Sequence, residues 1–248
     1  MQHIVFLPGL GCDHRLFSYL EDKLKGEYTT KVIVCNTKER MSDHVKFVLD
    51  SSPEKFILVG HSFGGWIAQW VAIEAPERIS KLILIGTGTG KLTPDLKNIF
   101  TEMKMFFERE QATAFFEKIN QLVVHEKRKS DILLYGLIKS MQSSFSKEQF
   151  LNQVNTDLEA RDTSDFLKNI HTKTLLIHGK QDPFYEKEML HLKKHIPNNH
   201  YVEIDDCGHM IPIEQEVAVT HIIKLWLDLV NGHKNHFKNI SDRQYVIL

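Results

Sequence analysis

The sequence predicts an α/β protein: a doubly wound, mainly parallel sheet of six strands, interrupted after the fourth by an all-helical insertion. Three observations carry that expectation. Six short apolar runs recur along the chain, separated by turn signals and helical patterns. Four of the six are continuously apolar rather than alternating, as strands covered on both faces by helices are. Between the fourth and fifth runs about ninety residues show no strand pattern, while their apolar residues keep helical spacing.

Taken in order, the first run is Ile4-Val5-Phe6-Leu7, ended by Pro8-Gly9. Asp13 then offers an N-cap to a helix whose Leu16, Leu20 and Leu24 lie four apart. The second run is Lys31-Val32-Ile33-Val34, and Ser42 is the cap candidate for the helix that carries Val45, Val48 and Leu49. Phe56-Ile57-Leu58-Val59 leads into a small, apolar helical segment from Phe63, which stops at Pro76 because proline disfavours helix in the residue before it. Leu82-Ile83-Leu84-Ile85 is the fourth run.

The insertion carries three apolar stripes at helical spacing: Ile99, Met103, Phe106 and Phe107; Phe115, Ile119, Leu122 and Val123; Leu134, Leu137, Ile138 and Met141. A structureless loop of that length would be improbable, so three or four helices are expected. Thr174-Leu175-Leu176-Ile177 and Tyr201-Val202-Glu203-Ile204 complete the sheet. The expected organisation is a core from residues 1–90 and 161–232, a helical cap over 91–160 and a C-terminal tail over 233–248.

Composition narrows the function classes. With 42% hydrophobic and 25% charged residues the chain has ordinary globular values, which argues against disorder. A formal net charge of −1 removes the electrostatic case for nucleic acid, and the one dense basic run, Lys127-Arg128-Lys129, reads as a solvated helix end. No stretch approaches the ~18–20 apolar residues of a membrane span. The first residues lack the parts of a signal peptide, and three cysteines form no disulfide framework, so a cytoplasmic protein is expected. The histidines and cysteines lack metal-ligand spacing, and neither a metal nor an organic cofactor is expected.

Three loops carry the chemistry. Gly60-His61-Ser62-Phe63-Gly64 sits directly between a strand and a helix. A serine at the tip of so tight a turn is held in a strained conformation and presented at the carboxyl edge of the sheet, where open α/β folds place ligands. Its hydroxyl needs a base, and His209, in the turn after the last strand, emerges at the same edge. Asp182, in the turn after the fifth strand, gives the chain order Ser, Asp, His; Asp205 and Asp206 are rivals by proximity to His209. Backbone amides of Phe63 and of Leu10, in Pro8-Gly9-Leu10-Gly11, are the expected donors to an oxyanion. Cys12 and Cys207 fall in two of these loops, which raises the question of thiol sensitivity.

Together Leu7-Pro8-Gly9-Leu10-Gly11, Gly60-His61-Ser62-Phe63-Gly64-Gly65, His178-Gly179-Lys180-Gln181-Asp182 and Cys207-Gly208-His209-Met210 resemble the α/β-hydrolase superfamily from residue 3 to about 230. The segment 158–182 is similar to small bacterial esterase-type hydrolases, a group that includes lactonases and pimeloyl-ester carboxylesterases. Pro8-Gly9 stands where many members carry His-Gly, and the superfamily's usual first two strands are missing, which implies six strands.

The expected function is that of a serine esterase: hydrolysis of a small carboxylic ester through a Ser62, His209 and Asp182 triad and an acyl-enzyme. The aromatic cap, with Phe100, Phe106, Phe107, Phe115 and Phe116, points to a substrate with an apolar acyl or aryl group, with Phe106, Phe107 and Met210 as pocket candidates, although the default role of most cap phenylalanines is to hold its helices together. The alternatives are C–C, thioester or lactone hydrolysis or a lyase on the same triad, or ligand capture without turnover. Oligomeric state is not readable from the sequence.

Overall fold

In a computed structural model, which describes residues 1–159 and 161–232, six strands form one sheet. They are β1 (Gln2–Leu7), β2 (Tyr28–Val32), β3 (Phe56–His61), β4 (Ile79–Ile85), β5 (Thr174–Gly179) and β6 (Asn199–Ile204). The sheet order is β2-β1-β3-β4-β5-β6 and all five pairings are parallel. The order reverses direction at β1, so helices cover both faces and the crevice beyond the strand ends is a natural ligand site. The tail expected over 233–248 lies outside the described residues.

Alternation within the central strands sorts their side chains into two cores. Ile4, Phe6, Ile57, Val59, Ile83 and Ile85 face α1 (Ser18–Leu24) and the last long helix, α10 (Glu216–Asn231), where Trp226 is fully buried. Val5, Leu7, Leu58, Leu82 and Leu84 face α2 (Met41–Ser51), α3 (Phe63–Glu74) and α8 (Glu186–His195). Strands buried on both faces must be apolar at every position, which is why their runs do not alternate.

Two sequence expectations shift. β2 is Tyr28–Val32 rather than 31–34. It is an edge strand with alternating partial exposure, so the apolar run at its end marked where the chain dives into the core, not where it pairs. Ser42 is not the cap of α2, which starts one residue earlier at Met41 with Arg40 at the N-cap position. The Met41 amide instead donates to Glu159 Oε2 at 2.8 Å. That carboxylate is remote in sequence, and local reading could not supply it.

Between β4 and β5 lie four helices: α4 (Pro94–Glu108), α5 (Ala112–Val123), α6 (Ile132–Gln142) and α7 (Lys147–Glu159). Thr93 and Asp131 cap α4 and α6 with side-chain oxygens on Leu96 and Leu134 amides. The cap has an apolar cluster of its own, made of Met103, Phe107, Phe115, Phe116, Phe150 and Val154. Phe107 stacks on Phe150 with ring centroids 4.7 Å apart. A short helix, α9 (Ile211–Glu214), precedes α10. Among the described residues no helix is long and apolar enough to cross a membrane.

Removing a buried phenylalanine costs about 3–5 kcal/mol where the site cannot collapse. Phe107→Ala should therefore loosen the cap selectively. Hydrogen exchange should speed up across 94–159 while amides of β3 and β4 stay protected; equal loosening of both would show that the cap has no separate core.

Candidate active site

Strand β3 ends at His61 and α3 starts at Phe63, leaving Ser62 alone to turn the chain. Ser62 takes φ 52° and ψ −120°, a left-handed conformation that costs a non-glycine residue roughly 1–3 kcal/mol. The surroundings hold it there. Its amide donates to the Ile85 carbonyl at 3.0 Å, and its own carbonyl accepts from the Thr87 hydroxyl at 2.7 Å. The turn requires glycine on either side: a Cβ on Gly64 would lie 2.1 Å from the Leu7 carbonyl oxygen, and one on Gly60 would lie 2.5 Å from the Gly64 carbonyl oxygen.

The turns after β5 and β6 bring the other two residues to the serine. His209 Nε2 lies 3.0 Å from Ser62 Oγ, and His209 Nδ1 lies 2.8 Å from Asp182 Oδ2. Asp182 is 5% exposed and His209 7%. Burial alone would raise the Asp182 carboxyl. The neighbouring His209, its hydrogen bond and the Phe184 amide outweigh that and hold the carboxyl below its usual value. The rivals face elsewhere: Asp205 pairs with Lys180, and Asp206 with Lys127, both on the surface. An imidazole between a buried carboxylate and a hydroxyl can accept the hydroxyl proton and be stabilised as it charges.

The loop carrying His209 is fixed by a group the sequence reading missed. Glu214 is 2% exposed; its Oε2 accepts from the His125 and Gly208 amides at 2.7 and 3.2 Å, and its Oε1 accepts from the Met210 amide at 2.9 Å. The His209 amide donates to the cap carbonyl of Val123 at 2.7 Å, and the His209 carbonyl lies 2.8 Å from His61 Nε2. Tyr185 was also missed. Its ring centroid lies 5.3 Å from that of His209, and burial pushes its phenol up against a hydrogen bond with Ser62 that pulls it down. Both residues follow a triad member closely, Glu214 after His209 and Tyr185 after Asp182, and that proximity was the only signal available.

A cleft lies over the serine. Leu10 and Phe63 are on its wall beside Ser62, and Phe63 stands at the first position of α3, where an amide has no intrahelical partner. The loop of Leu10 is tied down from the cap, since the Gly11 amide donates to Gln153 Oε1 at 3.0 Å. Of the three pocket candidates, Met210 lines the cleft, but Phe106 and Phe107 do not. On α4 the cleft takes Leu96, Ile99, Phe100 and Met103; one turn further the stripe leaves the opening, and Phe106 and Phe107 pack on Phe115 inside the cap. Phe100 and Phe116 are the cap phenylalanines on the cleft wall.

Two outcomes follow from the buried groups here. Burial pulls His61 down to about 3 and His44 down to about 4, whereas an unfolded histidine titrates near ~6.5. Between those values the unfolded chain binds protons that the folded chain refuses. The stability these two provide is complete above about pH 6.5 and falls with pH, by up to ~1.4 kcal/mol per unit for each. Urea unfolding should show this decline between pH 6.5 and 4.5, and His44→Gln should flatten it; an unaltered slope would show that His44 is protonated in the folded chain. Cys12, Cys35 and Cys207 are all buried, and burial raises each thiol, Cys12 and Cys35 to about 12. Native protein should take up no iodoacetamide over the time in which the urea-unfolded chain takes up three equivalents, the number of its cysteines. Modification of Cys12 or Cys207 in the native state would contradict this.

Comparison with known proteins bears on the fold and the family. The chain is 27% identical over 226 residues to a 2-hydroxymuconate semialdehyde hydrolase of Pseudomonas putida, covering 85% of this chain and 73% of that one. It is 30% identical over 197 residues to a 2-hydroxy-6-oxo-6-phenylhexa-2,4-dienoate hydrolase of Burkholderia cepacia, covering 76% and 68%. Other curated relatives are matched over as little as 57% of their length. Among solved structures, a thermophilic esterase from Thermogutta terrifontis superposes with a TM-score of 0.84 at 22% identity, covering 93% of this chain and 90% of that one. A model of the alpha/beta hydrolase fold matches residues 7–216, most of the chain, and this protein is therefore a member of the alpha/beta hydrolase fold family.

Proposed function

We propose that the protein hydrolyses a carboxylic ester with an apolar acyl or aryl group. The observation that carries the reading is the line of contacts from Asp182 through His209 to Ser62 at the floor of a largely apolar cleft. In the proposed cycle Ser62 Oγ bonds to the ester carbonyl carbon and its proton passes to His209 Nε2. The carbonyl oxygen, now an anion, takes hydrogen bonds from the Leu10 and Phe63 amides. Collapse breaks the C–O bond, and His209 returns the proton to the departing alcohol. A water then attacks the acyl-enzyme, gives its proton to His209 and releases the acid, and Ser62 recovers its hydrogen.

A second reading keeps the triad and breaks a C–C bond, because curated relatives carry names of that kind. The cleft supports the ester. A dienoate brings a carboxylate, and the residues lining the main cleft include no lysine or arginine to pair with it. An unpaired anion in an apolar space loses its hydration without compensation. An ester substrate has no such charge to lose.

Nitrophenyl esters of two to eight acyl carbons should be turned over, with Ser62→Ala slower by several orders of magnitude and folded, as expected when covalent catalysis is lost. Failure to cleave any ester, with turnover of a vinylogous diketo acid, would favour the C–C reading. An undiminished rate in the alanine variant would show that a different group attacks.

A further inference from the structure

Helix α7 seats the cap on the sheet, and it does so with buried polar side chains. Asn152 Nδ2 donates to the Asn36 carbonyl at 3.1 Å, Gln153 joins the Gly11 amide and the Cys35 carbonyl at 3.0 Å each, and Thr156 Oγ1 lies 3.1 Å from His44 Nε2. Asp157 is the exception. It is 8% exposed, and its Oδ2 has no hydrogen-bond partner among the described residues. It lies on the wall of the main cleft and on the wall of a smaller adjoining pocket that reaches Thr87 and Glu188. The two spaces meet at Ser62, and Asp157 stands on the wall they share.

Leaving a buried polar group unpaired costs stability, and groups that persist in that state call for an explanation. The side-chain amides on the wall of the main cleft are already engaged: Asn120 and Gln142 bond each other reciprocally at 3.0 and 2.9 Å. No lysine or arginine lines the main cleft; Lys91 on the wall of the smaller pocket is exposed to solvent, and burial pushes the Asp157 carboxyl well above the usual range. A neutral carboxyl offers a donor and an acceptor together. The group that satisfies both at once, and is itself cheap to bring into an apolar space, is a hydroxyl.

We propose that Asp157 is a specificity-determining residue that hydrogen-bonds a neutral hydroxyl on the substrate beside Ser62. The inference rests on the ester reading and narrows it to hydroxylated esters. The test compares kcat/KM for 4-nitrophenyl hexanoate with that for its 3-hydroxy and 6-hydroxy analogues, taken as a ratio within one preparation so that any inactive fraction cancels. Wild type should favour at least one hydroxy ester by about tenfold, a hydrogen bond's worth of discrimination. Asp157→Asn, which keeps a donor and an acceptor, should retain most of that preference. Asp157→Leu should bring the ratio to within about twofold of unity.

No preference in wild type, or a preference that survives Asp157→Leu, would overturn the proposal. So would a 6-amino analogue outrunning both hydroxy esters together with loss of preference in Asp157→Asn, since the partner would then be a cation. If no ester is cleaved, the ester reading falls. The role of Asp157 is then read separately from Ser62 labelling rates by hexyl fluorophosphonates with and without a chain hydroxyl, with the same ratios expected and the same results overturning it.

Discussion

Helix α3 and strand β1 approach so closely at Gly64 that no side chain fits between them, a Cβ there lying 2.1 Å from the Leu7 carbonyl oxygen. This contact sets the height at which α3 begins, and with it the reach of the one residue left to turn from β3 into the helix. Ser62 meets that demand only with φ 52°, a conformation stabilised from both sides by the Ile85 carbonyl and the Thr87 hydroxyl. The same contact places the Leu10 loop, which follows β1 directly, against the start of α3. A single steric constraint thus positions the proposed nucleophile and both proposed oxyanion donors relative to one another before any side-chain hydrogen bond is counted.

The cap then fixes what the sheet leaves free. The Val123 carbonyl at the end of α5 holds the His209 amide, and Glu214 binds the His125 amide with one carboxylate oxygen while sharing itself with the Gly208 and Met210 amides. Gln153 of α7 ties the Gly11 amide to the Cys35 carbonyl. Where the chain returns to the core, the Arg161 carbonyl accepts from the indoles of Trp66 and Trp70 at 2.9 and 3.1 Å. The cap roofs the cleft, and it also braces the loops of both His209 and Leu10. Rigid placement of a base within tenths of an ångström depends on such supporting bonds.

The sheet and the three residues at its carboxyl edge were legible because each leaves a local signature. Doubly covered strands are apolar at every position, and a serine between two glycines at a strand–helix junction has few other reasons to exist. What stayed hidden was set by distance in sequence. The Met41 amide is capped by Glu159, and the surroundings of Phe107 are Phe115 and Phe150 from other helices. Nothing in a helical stripe tells which end faces a cleft and which end a neighbouring helix, so Phe106 and Phe107 were placed one turn too far along α4. Asp157 did leave a trace: it follows Phe150 and Val154 on the buried stripe of α7, where a carboxylate is out of place.

The charge distribution of the cleft bears on what it can accept. Asp182 is held ionised by His209 and the Phe184 amide, below the floor of the cleft, whereas Asp157 on its wall has no such partners and is pushed towards its neutral form by burial. Two carboxyls near one serine are thereby shifted in opposite directions by their surroundings, one lowered beside the imidazole and the other raised by burial on the cleft wall. The main wall carries no lysine or arginine, and the one cation of the adjoining pocket is the exposed Lys91, so an anionic group held in the main cleft would find no cation there to replace its hydration. A neutral molecule carrying a carbonyl and a second hydrogen-bonding oxygen avoids that penalty. On the proposed reading, selectivity would arise from the charges the cleft leaves unmatched as much as from the apolar surface it offers.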